Sequence, residues 1–279
     1  MPELPEVETM VRGIRPFAEG RRIVAVNRCK THCRPISVVP AMNRLVKGLV
    51  GQSIATVRRL GKRVVLDLEN ASSLVIEPRM TGLMLLANPP DVAHLRVEWQ
   101  LDGQREYNSI WFWDRRGLGT IRLYAPGQLT RQLGPDKLGP DALSFTADHW
   151  RQRLHATRRA VKVALLDQKL IAGIGNLYAS EILHLAGIDP RRSSQKLSSP
   201  QIERLDQAAR RILESAIEYE GSTLGDGTYR NALSQSGRYQ NKHRVYMREG
   251  ESCTTCRQGV IVRLVQAQRS TFYCPKCQH

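Results

Sequence analysis

Between residues 3 and 18, Val7, Met10, Val11 and Ile14 recur three and four apart, the spacing that puts side chains on one face of an α-helix. From about 22 to 125 the period shortens. RRIVAVNRC, RRLGKRVVLDL, SLVIEPRMTGLMLLA, LRVEWQL and TIRLYA are short runs rich in β-branched residues and broken by turns. Several such runs at close spacing predict a β-sandwich or barrel. Pro126, Gly127, Gly134, Pro135, Gly139 and Pro140 then interrupt both periods, so 126–144 reads as turn-rich and linking. Beyond it the helical period returns. Trp150 and Leu154, then Val161, Ala164, Leu165 and Leu166, precede the turn GIGN, and a further helix carries Leu177, Ile182, Leu183 and Leu185. Another begins at Ser199–Pro200, a cap followed by the residue favoured at the first helical position. Its stripe is Ile202, Leu205, Ala209, Ile212, Leu213 and Ala216, and Gly221 ends it. The polar, glycine-rich stretch 221–245 predicts a mobile loop, and 246–279 sets four cysteines around a β-hairpin pattern.

Strands first and helices second make an α+β chain. The expected organisation is a catalytic or binding sandwich over 1–130, a linker over 131–144, a helical domain over 145–240 and a cysteine-bearing module over 241–279. No repeat is present in the 279 residues.

Charge narrows the partner. Lysine and arginine number 42 against 26 acidic residues, a formal charge of +16 with a pI near 10.1. Such an excess points to a polyanion, because neutralising phosphates releases counterions; a merely basic protein, or one that meets acidic membrane surfaces, is the alternative. No apolar run approaches the ~18 residues of a spanning helix. The opening MPELPEVETM lacks the basic-then-apolar layout of a signal peptide. A cytoplasmic chain with reduced cysteines is expected. Cys253-x2-Cys256 and Cys274-x2-Cys277 then form the two-knuckle pattern of a closed structural Zn²⁺ site; paired disulfides would need an oxidising compartment. Cys29 and Cys33, around His32, have no matching pair and read as ordinary strand or loop residues.

Met1 precedes Pro2, a small residue that normally permits methionine removal. The exposed secondary amine would have a pKa of about 8, leaving much of it unprotonated and nucleophilic near neutrality. Glu3 and Glu6 stand beside it. A helix start with acidic residues complementing the dipole explains the same residues without chemistry. Asn176, at the expected cap after GIGN, offers a helix N-terminus to a phosphate, or simply follows a glycine stop.

MPELPEVET, LGKRVVLDL, GIGNLYASEIL and AQRSTFYCPKCQ, in this order from end to end, resemble the formamidopyrimidine-DNA glycosylase family. The resemblance implies an N-terminal β-sandwich with a leading helix, a helix-two-turns-helix domain and a C-terminal zinc-finger β-hairpin. It implies a bifunctional glycosylase and lyase that acts on 8-oxoguanine and formamidopyrimidines in duplex DNA, with one structural zinc and a monomeric chain. Pro2 would attack C1′ of the damaged nucleotide, Glu3 would handle protons at the sugar ring oxygen, and Lys62 would contact the lesion and assist elimination. Glu6 would support the site. Arg269, at the finger's hairpin tip, would grip phosphate and take part in the second elimination. Asn176, His94 and Arg158 would hold the backbone, the last less firmly because Arg159 adjoins it. Met80 would fill the space left by the extruded base. For these residues a solvent-facing charge or a core side chain is the plain alternative.

The chain departs from the family's usual pattern at Asp114-Arg115-Arg116-Gly117-Leu118-Gly119. Alignment on the final glycine sets Arg116 against the orphaned base and Leu118 where phenylalanine is common. Glu77-Pro78-Arg79 also replaces histidine-leucine-glycine before Met80, and the loop 222–240 corresponds to the segment that senses the base. An endonuclease VIII-like enzyme for oxidised pyrimidines is one alternative, although such relatives commonly open with Pro-Glu-Gly-Pro. A non-catalytic DNA-binding relative is the other.

Overall fold

The computed structural model describes residues 2–279. They form two compact units: residues up to Gly134 with Tyr219–Gln240, and Pro135–Glu218 with Asn241–His279. No described helix is long and apolar enough to cross a membrane.

The first unit opens with α1 (Leu4–Ala18) and continues through β1 (Ile23–Arg28), β2 (Ser37–Val39), α2 (Met42–Leu49), β3 (Ile54–Leu60), β4 (Arg63–Leu68), β5 (Ser73–Glu77), β6 (Gly82–Leu85), β7 (Leu95–Leu101), β8 (Ser109–Asp114), β9 (Thr120–Tyr124) and α3 (Gln128–Leu133). The strands form a four-stranded sheet, β1-β7-β8-β6, and a five-stranded sheet, β2-β9-β5-β4-β3. Among the described strand pairs of these two sheets, only β2 and β9 run parallel. Strand alternation divides the residues between two faces. Val64 and Leu66 of β4 and Leu74 and Ile76 of β5 join the main core with Leu83, Trp99 and Phe112 of the other sheet. Val65 and Val75, one residue out of step, join a smaller cluster on the other face.

Leu4, Val7, Met10, Val11 and Ile14 of α1 are wholly excluded from solvent. At roughly 1.5–3 kcal/mol for each buried side chain, this stripe fixes the helix and therefore the residues just before it.

The structure departs from the sequence's expectations at four points. The 22–125 stretch is not all β: eight residues form α2, whose Leu45 and Leu49 are buried in the sandwich core. The expected 131–144 linker overlaps α3, which lays Leu129 and Leu133 against the small Val65–Val75–Tyr124 cluster. Residues 219–240, placed with the helical domain, pack into the first unit. That loop is also internally bonded, where the sequence suggests mobility. Thr223 N–H donates to Gln240 Oε1 and Gly237 N–H to Thr223 Oγ1, at 3.0 and 2.9 Å, and Tyr239 N–H donates to Gly221 O at 2.9 Å. The partners explain both α3 and the loop: those of α3 lie on the outer face of the sheet, and the loop's partner Glu6 is remote in sequence.

The second unit contains α4 (Ala147–His155), α5 (Val161–Leu165), α6 (Asn176–Ala186), α7 (Ser199–Glu218), β10 (Val262–Gln266) and β11 (Arg269–Tyr273). The stripe expected from Ile202 to Ala216 is buried on α7, and α6 stops at Gly187, whose φ of +69° suits a residue without Cβ. Asn176 is the first helical residue and Gly175 the cap, one position from the expected boundary. Antiparallel β10 and β11 make the hairpin, with Ala267 and Gln268 both left-handed at its tip.

Candidate active site and nucleic-acid interface

Pro2 is buried immediately before Glu3, the N-cap of α1. Glu3 and Glu6 form a capping box, in which Glu3 N–H donates to Glu6 Oε2 at 2.9 Å. The other Glu6 oxygen accepts Ser222 N–H, also at 2.9 Å. Gly221 approaches so closely that a Cβ would lie 2.9 Å from Glu6 Cγ, and its φ is +79°. Tyr229 donates its hydroxyl to Glu6 O at 3.4 Å, while burial and then the Glu6 charge push the phenol well above its usual range. Glu6 thus ties the chain's start to the 219–240 loop within one unit. Met1, whose removal would free the Pro2 amine, lies outside the described residues.

Lys62 occupies the two-residue Gly61–Lys62 turn between β3 and β4, where Leu60 pairs with Arg63, and is half-buried. Met80 is exposed in the turn between β5 and β6. Arg116 is exposed and Leu118 half-buried in the loop after β8. His94 is fixed by a 2.7 Å contact between its Nδ1 and Asp91 Oδ1, and its ring stands edge-on to Trp113.

In the second unit the side chain of Asn176 is held at both ends. Its Nδ2 donates to Ser270 O at 2.9 Å, and its Oδ1 accepts from Lys162 Nζ at 2.8 Å. Lys162 is wholly buried and also donates to Thr271 Oγ1 and Ser270 O, at 2.7 and 3.0 Å. The start of α6 and the first strand positions after the hairpin tip are therefore one hydrogen-bonded assembly, with Arg269 exposed beside it. Arg158 and Arg159 are both exposed, but Arg159 is paired with Asp167 at 2.9 Å.

Sequence reasoning missed Lys162 and Glu181. The Glu181 carboxylate accepts the N–H groups of Arg244, Val245 and Tyr246 at 2.8–3.0 Å, fixing the segment that enters the cysteine module. Burial nevertheless raises its pKa. A charged residue inside each apolar stretch, VKVALL and YASEIL, was the available signal, because a buried charge must find partners.

The four thiols of Cys253, Cys256, Cys274 and Cys277 lie within 4.8 Å of one another. Cys253 and Cys277 sulfurs are 3.7 Å apart, and Cys256 and Cys274 sulfurs 3.8 Å. Thiolates at ~2.3 Å from a tetrahedral ion would stand about 3.8 Å apart, so the donor set fits a metal. The Gln258 and Gly259 N–H groups lower the Cys256 thiol to about 6, while burial and the neighbouring sulfurs push Cys277 upward. His184 Nε2 approaches Cys253 Sγ at 3.6 Å. The module's own core is only Val245, Cys253, Ile261, Phe272 and Cys274 with a few flanking residues, too little apolar area to fold without a staple.

A two-sheet sandwich with a capped N-terminal helix, a helical unit with an anchored glycine turn, and a four-cysteine hairpin define the helix-two-turns-helix class of DNA-processing enzymes. Residues 1–121 match the formamidopyrimidine-DNA glycosylase N-terminal domain and residues 133–227 its H2TH domain. The chain belongs to the formamidopyrimidine-DNA glycosylase family. It is 38% identical to the formamidopyrimidine-DNA glycosylase of Paracoccus denitrificans and 36% to that of Chloroflexus aurantiacus, covering all of this chain and 100% and 98% of those proteins. The MutM (Fpg) protein of Thermus thermophilus superposes with a TM-score of 0.85 at 35% identity, over 99% of this chain and 98% of that one. The Lactococcus lactis Fpg in complex with DNA containing an abasic site gives 0.86 at 29% identity, over 99% of both chains.

Proposed function

We propose that this chain is a bifunctional DNA glycosylase and lyase that removes 8-oxoguanine and formamidopyrimidines from duplex DNA in base excision repair. The observation that carries it is the end-to-end match to formamidopyrimidine-DNA glycosylases, with a Lactococcus lactis relative in complex with Fapy-dG-containing DNA. The buried Pro2–Glu3 start on a rigid helix supports it chemically, because a reacting amine gains most when its geometry is fixed.

Pro2 nitrogen attacks C1′ as the bond to the purine breaks, and the base leaves with its electron pair. Glu3 delivers a proton to the ring oxygen, the sugar opens, and an iminium joins C1′ to the chain. Loss of a proton from C2′ then expels the 3′ phosphate, with Lys62 assisting; loss of a second proton, from C4′, expels the 5′ phosphate with Arg269 on the backbone, and water hydrolyses the iminium to free Pro2 and the sugar fragment. Asn176, His94 and Arg158 hold phosphates, Met80 fills the vacated stack, and Arg116 with Leu118 meets the opposite base. Cys253, Cys256, Cys274 and Cys277 hold one structural Zn²⁺, which supplies folding energy to the finger and no chemistry. The chain works as a monomer on the chromosome in the cytoplasm.

A 5′-labelled duplex bearing one 8-oxoguanine tests this. Strand cleavage leaving phosphates on both sides of the gap is expected. Faster release of an oxidised pyrimidine than of 8-oxoguanine, or DNA binding with no cleavage, overturns it.

A further inference from the structure

Asp114 ends β8, opens the Asp114–Gly119 loop and is wholly buried. Its carboxylate has no arginine or lysine side-chain partner among the described residues and is instead filled by neutral donors. Oδ1 accepts the Thr81 hydroxyl at 2.5 Å and Arg116 N–H at 3.2 Å, and Oδ2 accepts Gly119 N–H at 2.8 Å. Thr81 Oγ1 also accepts Arg116 N–H at 3.0 Å, so hydroxyl and carboxylate share one donor. The backbone joins in: Asp114 N–H donates to His94 O at 3.0 Å, and Arg96 Nε donates to Asp114 O at 2.8 Å. Arg96 reaches on to Arg34 O at 3.0 Å.

One side chain therefore joins the Thr81 turn to the Asp114–Gly119 loop, while His94 and Arg96 hold the Asp114 backbone. Thr81 follows Met80, and its turn is tight: Gly82 N–H donates to Pro78 O at 2.9 Å, and a Cβ on Gly82 would lie 2.6 Å from that oxygen. Arg116 and Leu118 flank Gly117, whose φ is +61° and where a Cβ would collide with Arg34 O. Both turns are thus closely backed by other backbone, at Pro78 and at Arg34.

We propose that Asp114 is a positioning residue that makes the Met80 turn and the Arg116–Leu118 loop a single reader, so that lesion extrusion and opposite-base choice are set together. This rests on the proposed glycosylase function and on Met80 and Arg116 meeting DNA. Asn at 114 would keep one acceptor but turn an amide donor toward Gly119 N–H or toward Thr81 and Arg116. Val at 81 would remove the relay while nearly keeping its volume.

The test compares Asp114→Asn and Thr81→Val with wild type on 8-oxoguanine opposite cytosine and opposite adenine. Cleavage of an abasic site in single-stranded DNA and the melting temperature are followed in parallel. Losing a buried hydrogen bond of about 1.4 kcal/mol corresponds to tenfold, so the ratio of kcat/KM values for the two opposite bases should change about tenfold in each variant. Single-strand cleavage should stay near wild type. Adding Met80→Ala to Thr81→Val should cost less than the sum of the separate losses on duplex. An unchanged ratio with strictly additive losses overturns the proposal, and if Asp114→Asn does not fold, Thr81→Val alone decides. Wild-type protein inert on 8-oxoguanine opposite cytosine in duplex DNA would instead overturn the glycosylase function itself.

Discussion

Glu6 shows how much one side chain can organise. Its two oxygens satisfy the N–H of Glu3 and the N–H of Ser222, residues separated by most of the chain. Glu6→Ala would leave both donors buried, at roughly 1–3 kcal/mol each. Thermal unfolding should show a melting point lowered by several degrees, whereas Glu6→Gln, which keeps one acceptor oxygen, should fall between the two. A melting point of Glu6→Ala equal to wild type would mean that water replaces the carboxylate at no cost. Glu3 is expected to behave differently, because proton transfer in a transition state contributes ~10²–10⁴-fold. Glu3→Gln should retain DNA affinity while base excision in single-turnover assays falls by that factor. A loss below about tenfold would remove Glu3 from proton transfer.

Among elements, the start of α6 is joined to β11 through Asn176 and the buried Lys162. Lys162 joins Asn176 to Ser270 and Thr271, and its removal takes the donor from the half-buried Asn176 amide oxygen. Lys162→Met should therefore weaken binding to abasic-site duplexes at least as much as Asn176→Ala does, although Lys162 itself is buried and reaches no surface. Unchanged affinity in titrations would separate the hairpin from the helix start. The long elements were legible because each rests on a local period. The stripe of α1, the paired runs RRL and RVVLDL around Gly61–Lys62, and the Ser199–Pro200 start of α7 need no information beyond their own residues. Short α2 and α3 escaped because eight and six residues span barely two turns, too few to show a stripe against β-rich surroundings. The hubs Asp114, Lys162 and Glu181 escaped for another reason: their partners lie 33, 109 and about 64 positions away, and no pattern within a window reports that. At the candidate site the motifs pointed to Pro2, Glu3, Lys62 and Arg269 and to a supporting Glu6, but only coordinates reveal that Glu6 accepts the Ser222 N–H and that Asp114 ties Thr81 to the loop after β8.

For the molecule as a whole, the +16 charge and the cysteine module make separate demands. Each phosphate contact contributes a slope of about 0.9 to log K against log salt. Arg269→Ala should reduce that slope by about one, while Leu118→Phe should leave it unchanged. Metal analysis of native protein should find about one zinc, as four thiolates in a closed tetrahedral site require. Cys274→Ser should abolish it and weaken DNA binding while leaving the melting of the sandwich, which has its own core, largely intact. Zinc-free native protein with full DNA affinity would contradict that assignment. The chain's first residues matter most, since a fixed secondary amine is what would turn a DNA-binding scaffold into a glycosylase and lyase. Borohydride reduces an iminium to a stable amine, so it records the bond between protein and C1′ directly. Enzyme mixed with an 8-oxoguanine duplex and borohydride should become covalently joined to DNA, with the link at Pro2 by peptide mass mapping, and an extension that blocks Met1 removal should abolish it. Cross-linking that persists with the N-terminus blocked would assign the nucleophile to a lysine and contradict the role of Pro2.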